Sequence, residues 1–175
     1  MFSVFNSIIM VNYKQKYLGN LNITILGAYS PVESKKRLEN LRDCLRDSGF
    51  LKAHLVEDAL VPIAVTRSLK DQDKIFLVKS QYEMQNSDAL IFVFGKNDIS
   101  DGHKTELNYF YDFLYDKLID KTLFLVEKGG MKKLSSLVRA QINNNKDSPG
   151  TYCFKTLKEL CSYSYGQLFA IFIKN

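Results

Sequence analysis

The chain has no tryptophan and no CxxC pair. It also has no apolar run near the roughly 18 residues that a membrane-spanning helix needs. Its three cysteines, Cys44, Cys153 and Cys161, are scattered and odd in number. That spacing argues against a zinc site and against a disulfide framework. The apolar start over residues 1–11 lacks the positive leading region and the small-residue cleavage site of a signal peptide. It fits an extra strand, a dimer contact or an over-long start, with Met10 as an alternative initiator. Unpaired thiols without a signal peptide give the expectation of a cytoplasmic protein with reduced cysteines, with no membrane partner, no metal and no cofactor. No internal repeat, low-complexity tract or linker marks a second domain. The 175 residues therefore read as an N-terminal extension over 1–20 and one domain over 21–175, long enough for a full core.

Charge of one sign is also never concentrated. The net charge is +5 and the pI about 9.0, which permits an anionic ligand without demanding nucleic acid. The largest basic clusters are Lys35-Lys36-Arg37 and Lys132-Lys133, each read as a solvated helix face. The chain is 46% hydrophobic and 25% charged, with 12 Phe and 10 Tyr.

Apolar patterning alternates between two periods. Strand-like runs occupy 21–26, 53–56, 89–94, 122–126 and 151–154. Helical spacing occupies 32–48, 71–85, 103–118, 134–142 and 156–173. Leu38, Leu41 and Leu45 form a helical stripe, and Gly49 is placed to end that helix. Thr156 with Glu159 three residues on forms a capping box. This alternation predicts a single α/β domain, an open parallel sheet of about five strands with helices on both faces, Rossmann-like or flavodoxin-like. The two strongest runs, 21–26 and 89–94, belong side by side in its middle.

In such a sheet, ligands bind where strands end and loops begin. Two loops qualify. The first, Gly27-Ala28-Tyr29-Ser30, leads into a helix, a setting that suits an anion or a sugar hydroxyl; read without a ligand, Gly27 is a tight strand-to-helix turn. The second carries Asp98, Asp101 and Gly102, with Glu106 expected on the first turn of the helix that follows. Gly102 would let a ligand approach the backbone. A first-turn carboxylate is stabilised by the helix dipole and is expected to stay ionised. It would then add little to the core, and it could serve as a nucleophile or stabilise a developing cation. The plainer reading makes Glu106 an ordinary helix acid and Asp101 an ordinary N-cap.

The segments Ile25-Leu26-Gly27-Ala28-Tyr29, Ser87-Asp88-Ala89-Leu90-Ile91-Phe92-Val93 and Asp101-Gly102-His103-Lys104-Thr105-Glu106-Leu107 occur in that order. Together they resemble the nucleoside 2-deoxyribosyltransferase superfamily, which includes nucleotide N-glycosidases, over roughly residues 22–127. The resemblance implies that Glu106 attacks C1′ of a nucleoside or nucleotide, in the manner of a retaining glycosidase carboxylate. It also implies that Tyr29 orients Glu106, that Asp101 binds sugar hydroxyls, and that Gly27, Ser30, Asp98 and Gly102 contact substrate. Family members commonly assemble as dimers or larger, which implies a homo-oligomer. Two positions depart from the pattern. Asn108 stands where the family has glycine, and Ser80 stands where an acid that protonates the leaving base is expected, with Glu83 the nearest acid. Loss of such an acid removes about 10²–10⁴ in rate.

Other function classes fit parts of this pattern. One is a binding or sensing module with the same pocket and no turnover. Another is an NAD-cleaving domain of the Toll/interleukin-receptor type, which also carries a Glu on a helix after a strand; the Asp-Gly-x-x-x-Glu spacing fits the transferases better. Nucleic-acid binding is permitted by the basic pI and ten tyrosines, but no motif supports it.

Overall fold

One strand leaves the chain little choice of position. The six residues Ala89–Phe94 are all apolar, and a strand with no polar face must be covered on both sides. The computed structural model describes residues 16–59, 72–98, 102–144 and 151–173. In it this segment (β3) is the central strand of a five-stranded, all-parallel sheet of order β2-β1-β3-β4-β5. The other strands are β1 (Asn22–Gly27), β2 (Lys52–Leu55), β4 (Thr122–Glu127) and β5 (Thr151–Phe154). β1 lies beside β3, with Ile25 opposite Ile91 and Gly27 opposite Val93. The loops after these two strands therefore leave the same end of the sheet as neighbours.

Among the described residues, the sheet is covered by helices in the stretches that follow its strands. They are α1 (Val32–Asp47), α2 (Gln72–Gln85), α3 starting at Gly102, α4 (Ser136–Asn144) and α5 (Leu157–Ile173). Helix α3 runs as Gly102–Tyr109, widens into a π-helical turn over Phe110–Leu114 and finishes as Tyr115–Leu118. The period-2 alternation of side chains divides the core. Ile23, Ile25, Ile91, Val93, Leu123 and Leu125 pack against the Leu38, Leu41 and Leu45 stripe of α1 and against α5. Leu26, Leu90, Phe92, Phe94, Phe124 and Val126 pack against α2, α3 and α4. On that second face Phe92 stacks on Phe124 at 5.4 Å, and Phe110 from the widened turn meets both edge-on.

Observed element boundaries fall within two residues of the sequence reading. Residues 1–15 lie outside the described residues, so most of the expected 1–20 extension does too; Leu18, near its end, is buried in the core. The α5 cap is nearly the expected box. Glu159 N–H donates to Thr156 Oγ1 at 3.2 Å, while the Glu159 carboxylate accepts from Lys155 N–H at 2.7 Å, one residue earlier than a standard box. The Ser87-Asp88 pair lies at the amino end of β3, at the opposite end of the strand from the loops after β1 and β3. There the Asp88 carboxylate accepts from Asn22 N–H at 2.8 Å, and Asp88 N–H donates to the Asn22 carbonyl at 2.8 Å, which pins β1 to β3.

The opposite end is held by charge. Asp98 Oδ2 accepts from Gly95 N–H at 2.5 Å, and Asp98 Oδ1 accepts from Ser34 Oγ at 2.5 Å. The Arg37 guanidinium bridges Asp98 at 3.4 Å and Glu127 at 3.3 Å. Arg37 was expected on a solvated face, yet its side chain is only 17% exposed. The reason is geometric: α1 returns across the strand ends, and two carboxylates from the β3 and β4 ends meet it there. A Cβ on Gly95 would overlap both the Arg37 guanidinium and the Asp98 carboxylate. Gly95→Ala is therefore expected to destabilise by about 1–3 kcal/mol. In urea denaturation its effect should be strongly non-additive with Arg37→Ala, because both act on one ion pair; independent effects would contradict this account.

Candidate functional site

Two helices and one loop build the site. On α2, Phe76, Ser80 and Met84 recur every four residues and share a face. On α3, Glu106, Leu107 and Phe110 turn inward, all buried. Ser80 Oγ donates to Glu106 Oε1 at 2.8 Å, joining the two helices through a hydroxyl that is itself buried.

The structure corrects the expectation for Glu106. Helix α3 begins at Gly102, so Glu106 is past the first turn and gains little from the dipole. The residue is 7% exposed. Burial pushes the carboxyl up to about 7, against the Ser80 hydrogen bond, which pulls it down. A group expected to stay ionised is thus poised between its two forms at neutral pH, as catalytic carboxyls are. Among the described residues no lysine, arginine or histidine forms an ion pair with it.

Tyr29 follows β1 and meets Phe76 edge-on, with ring centroids 5.5 Å apart. Its phenol is pushed well above the usual tyrosine range, first by burial and then by the negative charges of Glu106 and Glu57. It stays protonated and is a donor. Its Oη lies near the Val56 and Glu57 backbone N–H groups but has no hydrogen bond of good geometry among the described residues. A buried hydroxyl is usually hydrogen-bonded.

The remaining expected residues divide. Gly27 closes β1 and is buried; a Cβ there would press on Leu38 Cδ2 at 2.7 Å and on the Val93 carbonyl at 3.1 Å, so close packing accounts for the glycine. Ser30 is exposed beyond it. Gly102 is the first residue of α3. Asp101 lies outside the described residues. Asp98 is held in the Ser34–Arg37 network on the α1 side. Glu83 turns away from Glu106: its Oε2 is 2.9 Å from His54 Nε2, which is also 3.1 Å from Thr24 Oγ1. Asn108 is exposed on α3 and accepts from Gln141 Nε2 at 3.3 Å. Among the described residues no three His, Cys, Asp or Glu side chains converge on a metal position. None of the described helices is long and apolar enough to cross a membrane. Sequence reasoning missed Phe76 as the ring partner of Tyr29 and Ser80 as the partner of Glu106. The four-residue spacing of the two on α2 was the signal available.

The features define a class: a parallel α/β protein, covered on both faces, with a buried carboxylate beside the carboxyl ends of its two central strands. No family model matches the chain, and no curated protein matches it. Among solved structures it is similar to the Clostridium botulinum CMP N-glycosidase BcmB, at 16% identity and a TM-score of 0.48, over 81% of this chain and 95% of that one. At that level the likeness defines neither family nor activity.

Burial of Glu106 makes a stability prediction. Between pH 4.5, its ordinary value, and about 7, the folded state keeps the Glu106 proton while the unfolded chain has released it. Raising the pH through that window therefore draws the equilibrium toward unfolding. Glu106→Gln removes this dependence. It should match wild type near pH 4.5 and exceed it by roughly 3 kcal/mol at pH 8, read by urea denaturation at both pH values. A less stable Glu106→Gln at pH 8 would mean that the carboxylate is satisfied as an anion.

Proposed function

We propose that the protein acts on the N-glycosidic bond of a nucleoside or nucleotide, cleaving it or transferring the sugar, with Glu106 as the carboxylate that faces C1′. The observation that carries this reading is the Glu106 carboxyl itself: buried, hydrogen-bonded by Ser80 and close to the protonated phenol of Tyr29. The motif resemblance supplies the reaction class. What supports it is that Tyr29 and Glu106, from two of the three matching segments, are near enough for the Glu106 charge to raise the Tyr29 phenol. The attacking form is the carboxylate. Ser80 holds Oε1 and leaves Oε2 for C1′, and the Tyr29 hydroxyl, without a well-formed hydrogen bond among the described residues, is available to the sugar or to the developing carboxylate ester.

One observation favours the second reading, a module that binds nucleotide without turnover. The position expected to hold the base-protonating acid is Ser80, committed to Glu106, and Glu83 is committed to His54. Released base, measured by chromatography, separates the two. Turnover is expected in wild type and none in Glu106→Ala, with the variant still folded by circular dichroism. Equal release from both would remove Glu106 from the chemistry.

The pH profile gives a second test. If the ionised carboxylate attacks, kcat/KM should rise with pH and level off above about 7. Ser80→Ala removes a hydrogen bond that favours the charged form, so it should move the rising limb to higher pH. A profile that falls through this range would make Glu106 the proton donor instead.

A further inference from the structure

Two thiols far apart in the sequence meet on one side of the sheet. Cys44 lies on α1 between Leu41 and Leu45, and Cys161 follows Leu160 on α5. Those three leucines share one core cluster, and Cys161 packs against it. The two helices are in direct contact, so the cysteines flank a single helix–helix seam. The Cys161 thiol is hydrogen-bonded to the Cys44 side chain. Each of the two is partly exposed, so a small solute can reach the pair. The third cysteine, Cys153, is exposed on β5.

The two sulfurs are not equivalent. Burial first, and then the hydrogen bond and charge of Cys44, push the Cys161 thiol up to about 12. It stays protonated at neutral pH, and the thiolate is the form that attacks an oxidant. The first attack therefore falls to Cys44, with Cys161 beside it as the second sulfur. Redox-sensing cysteines often stand next to such a resolving partner. The helices α2 and α3, which carry Ser80 and Glu106, cover the other face of the sheet, so this chemistry is separate from the candidate site.

We propose that Cys44 and Cys161 form a redox-active pair that closes to a disulfide on reaction with a hydroperoxide. The Cys44 thiolate attacks one peroxide oxygen and the O–O bond breaks. With hydrogen peroxide the leaving hydroxide takes up the proton that Cys44 gave away and departs as water. Cys44 then carries a sulfenic acid. The Cys161 sulfur attacks the Cys44 sulfur, the S–O bond breaks, and the hydroxide leaves as water with the Cys161 proton. Two thiols and one hydrogen peroxide give one disulfide and two waters; the sulfurs lose two electrons and the peroxide oxygens gain them. The new bond holds the sulfurs about 2 Å apart, which draws α1 and α5 together at their seam. It closes a loop that contains four of the five strands, and a cross-link over so long a loop constrains the unfolded chain strongly.

The test oxidises the full chain, kept dilute so that bonds between molecules are rare, with one equivalent of hydrogen peroxide at neutral pH. Free thiols are then capped with N-ethylmaleimide in urea, and the digest is read by mass spectrometry. The expected product is a monomer short of two hydrogen atoms, with a Cys44–Cys161 cross-linked peptide and maleimide on Cys153 alone. Its urea midpoint should stand about 1 M above that of the reduced chain and return with dithiothreitol. Cys44→Ser should show neither the bond nor the shift, while Cys153→Ser should keep both. Oxidation of Cys153 with Cys44 and Cys161 both capped would overturn the pair. So would Cys44 carried to the sulfinic acid with Cys161 still free, since the second sulfur would then be out of reach. A cross-linked chain less stable than the reduced one would mean a bond forced on the fold, and would overturn the proposal as well.

Discussion

Desolvation of the Glu106 carboxylate is the constraint on which the site depends. A carboxylate placed away from water must find donors, find a cation or take up a proton. Here the fold supplies one donor, Ser80 Oγ at 2.8 Å, and among the described residues no cation. The carboxyl is left near 7, between its two forms. The same burial raises the Tyr29 phenol, whose second cause is the negative charge of Glu106 itself. The raised values of the Glu106 carboxyl and the Tyr29 phenol therefore both follow first from burial.

Strand order brings these two groups near each other. With β1 and β3 paired in the centre of the sheet, the loop carrying Tyr29 and the helix carrying Glu106 begin from adjacent strand ends. The ends are fixed separately. Asn22 and Asp88 lock β1 to β3 at the amino side, while Asp98, Arg37 and Glu127 tie the β3 and β4 ends to α1 at the carboxyl side. Asp98 belongs to this second device. It braces the frame beside the site, and its carboxylate is occupied by Gly95, Ser34 and Arg37.

Much of the frame was legible in the sequence because local signals and tertiary demands agree. Ala89–Phe94 has no polar face, so its central position follows from composition. Leu38, Leu41 and Leu45 give α1 by spacing, and Thr156 with Glu159 starts α5. The chemistry of the site was less legible. Glu106 looked like an exposed first-turn acid because sequence shows where a helix begins only to within a residue or two, and shows nothing of what packs over it. The Ser80–Glu106 bond joins residues 26 apart and exists only once α2 lies against α3. The Arg37 network was hidden for the same reason, since a basic run reads as solvated until two carboxylates arrive from other strands. The Ser87-Asp88 pair was legible as a motif, yet its visible work is at the amino end, holding strands together.

The most direct test is the ionisation of Glu106 itself. Side-chain carboxyl 13C resonances, assigned by comparison with Glu106→Gln, can be followed by NMR from pH 3 to 9. The account predicts that the Glu106 carboxyl titrates near pH 7, and higher still in Ser80→Ala. A midpoint near 4.5, its ordinary value, would mean that the carboxylate is solvated or paired as an anion, and would contradict the buried-carboxylate account.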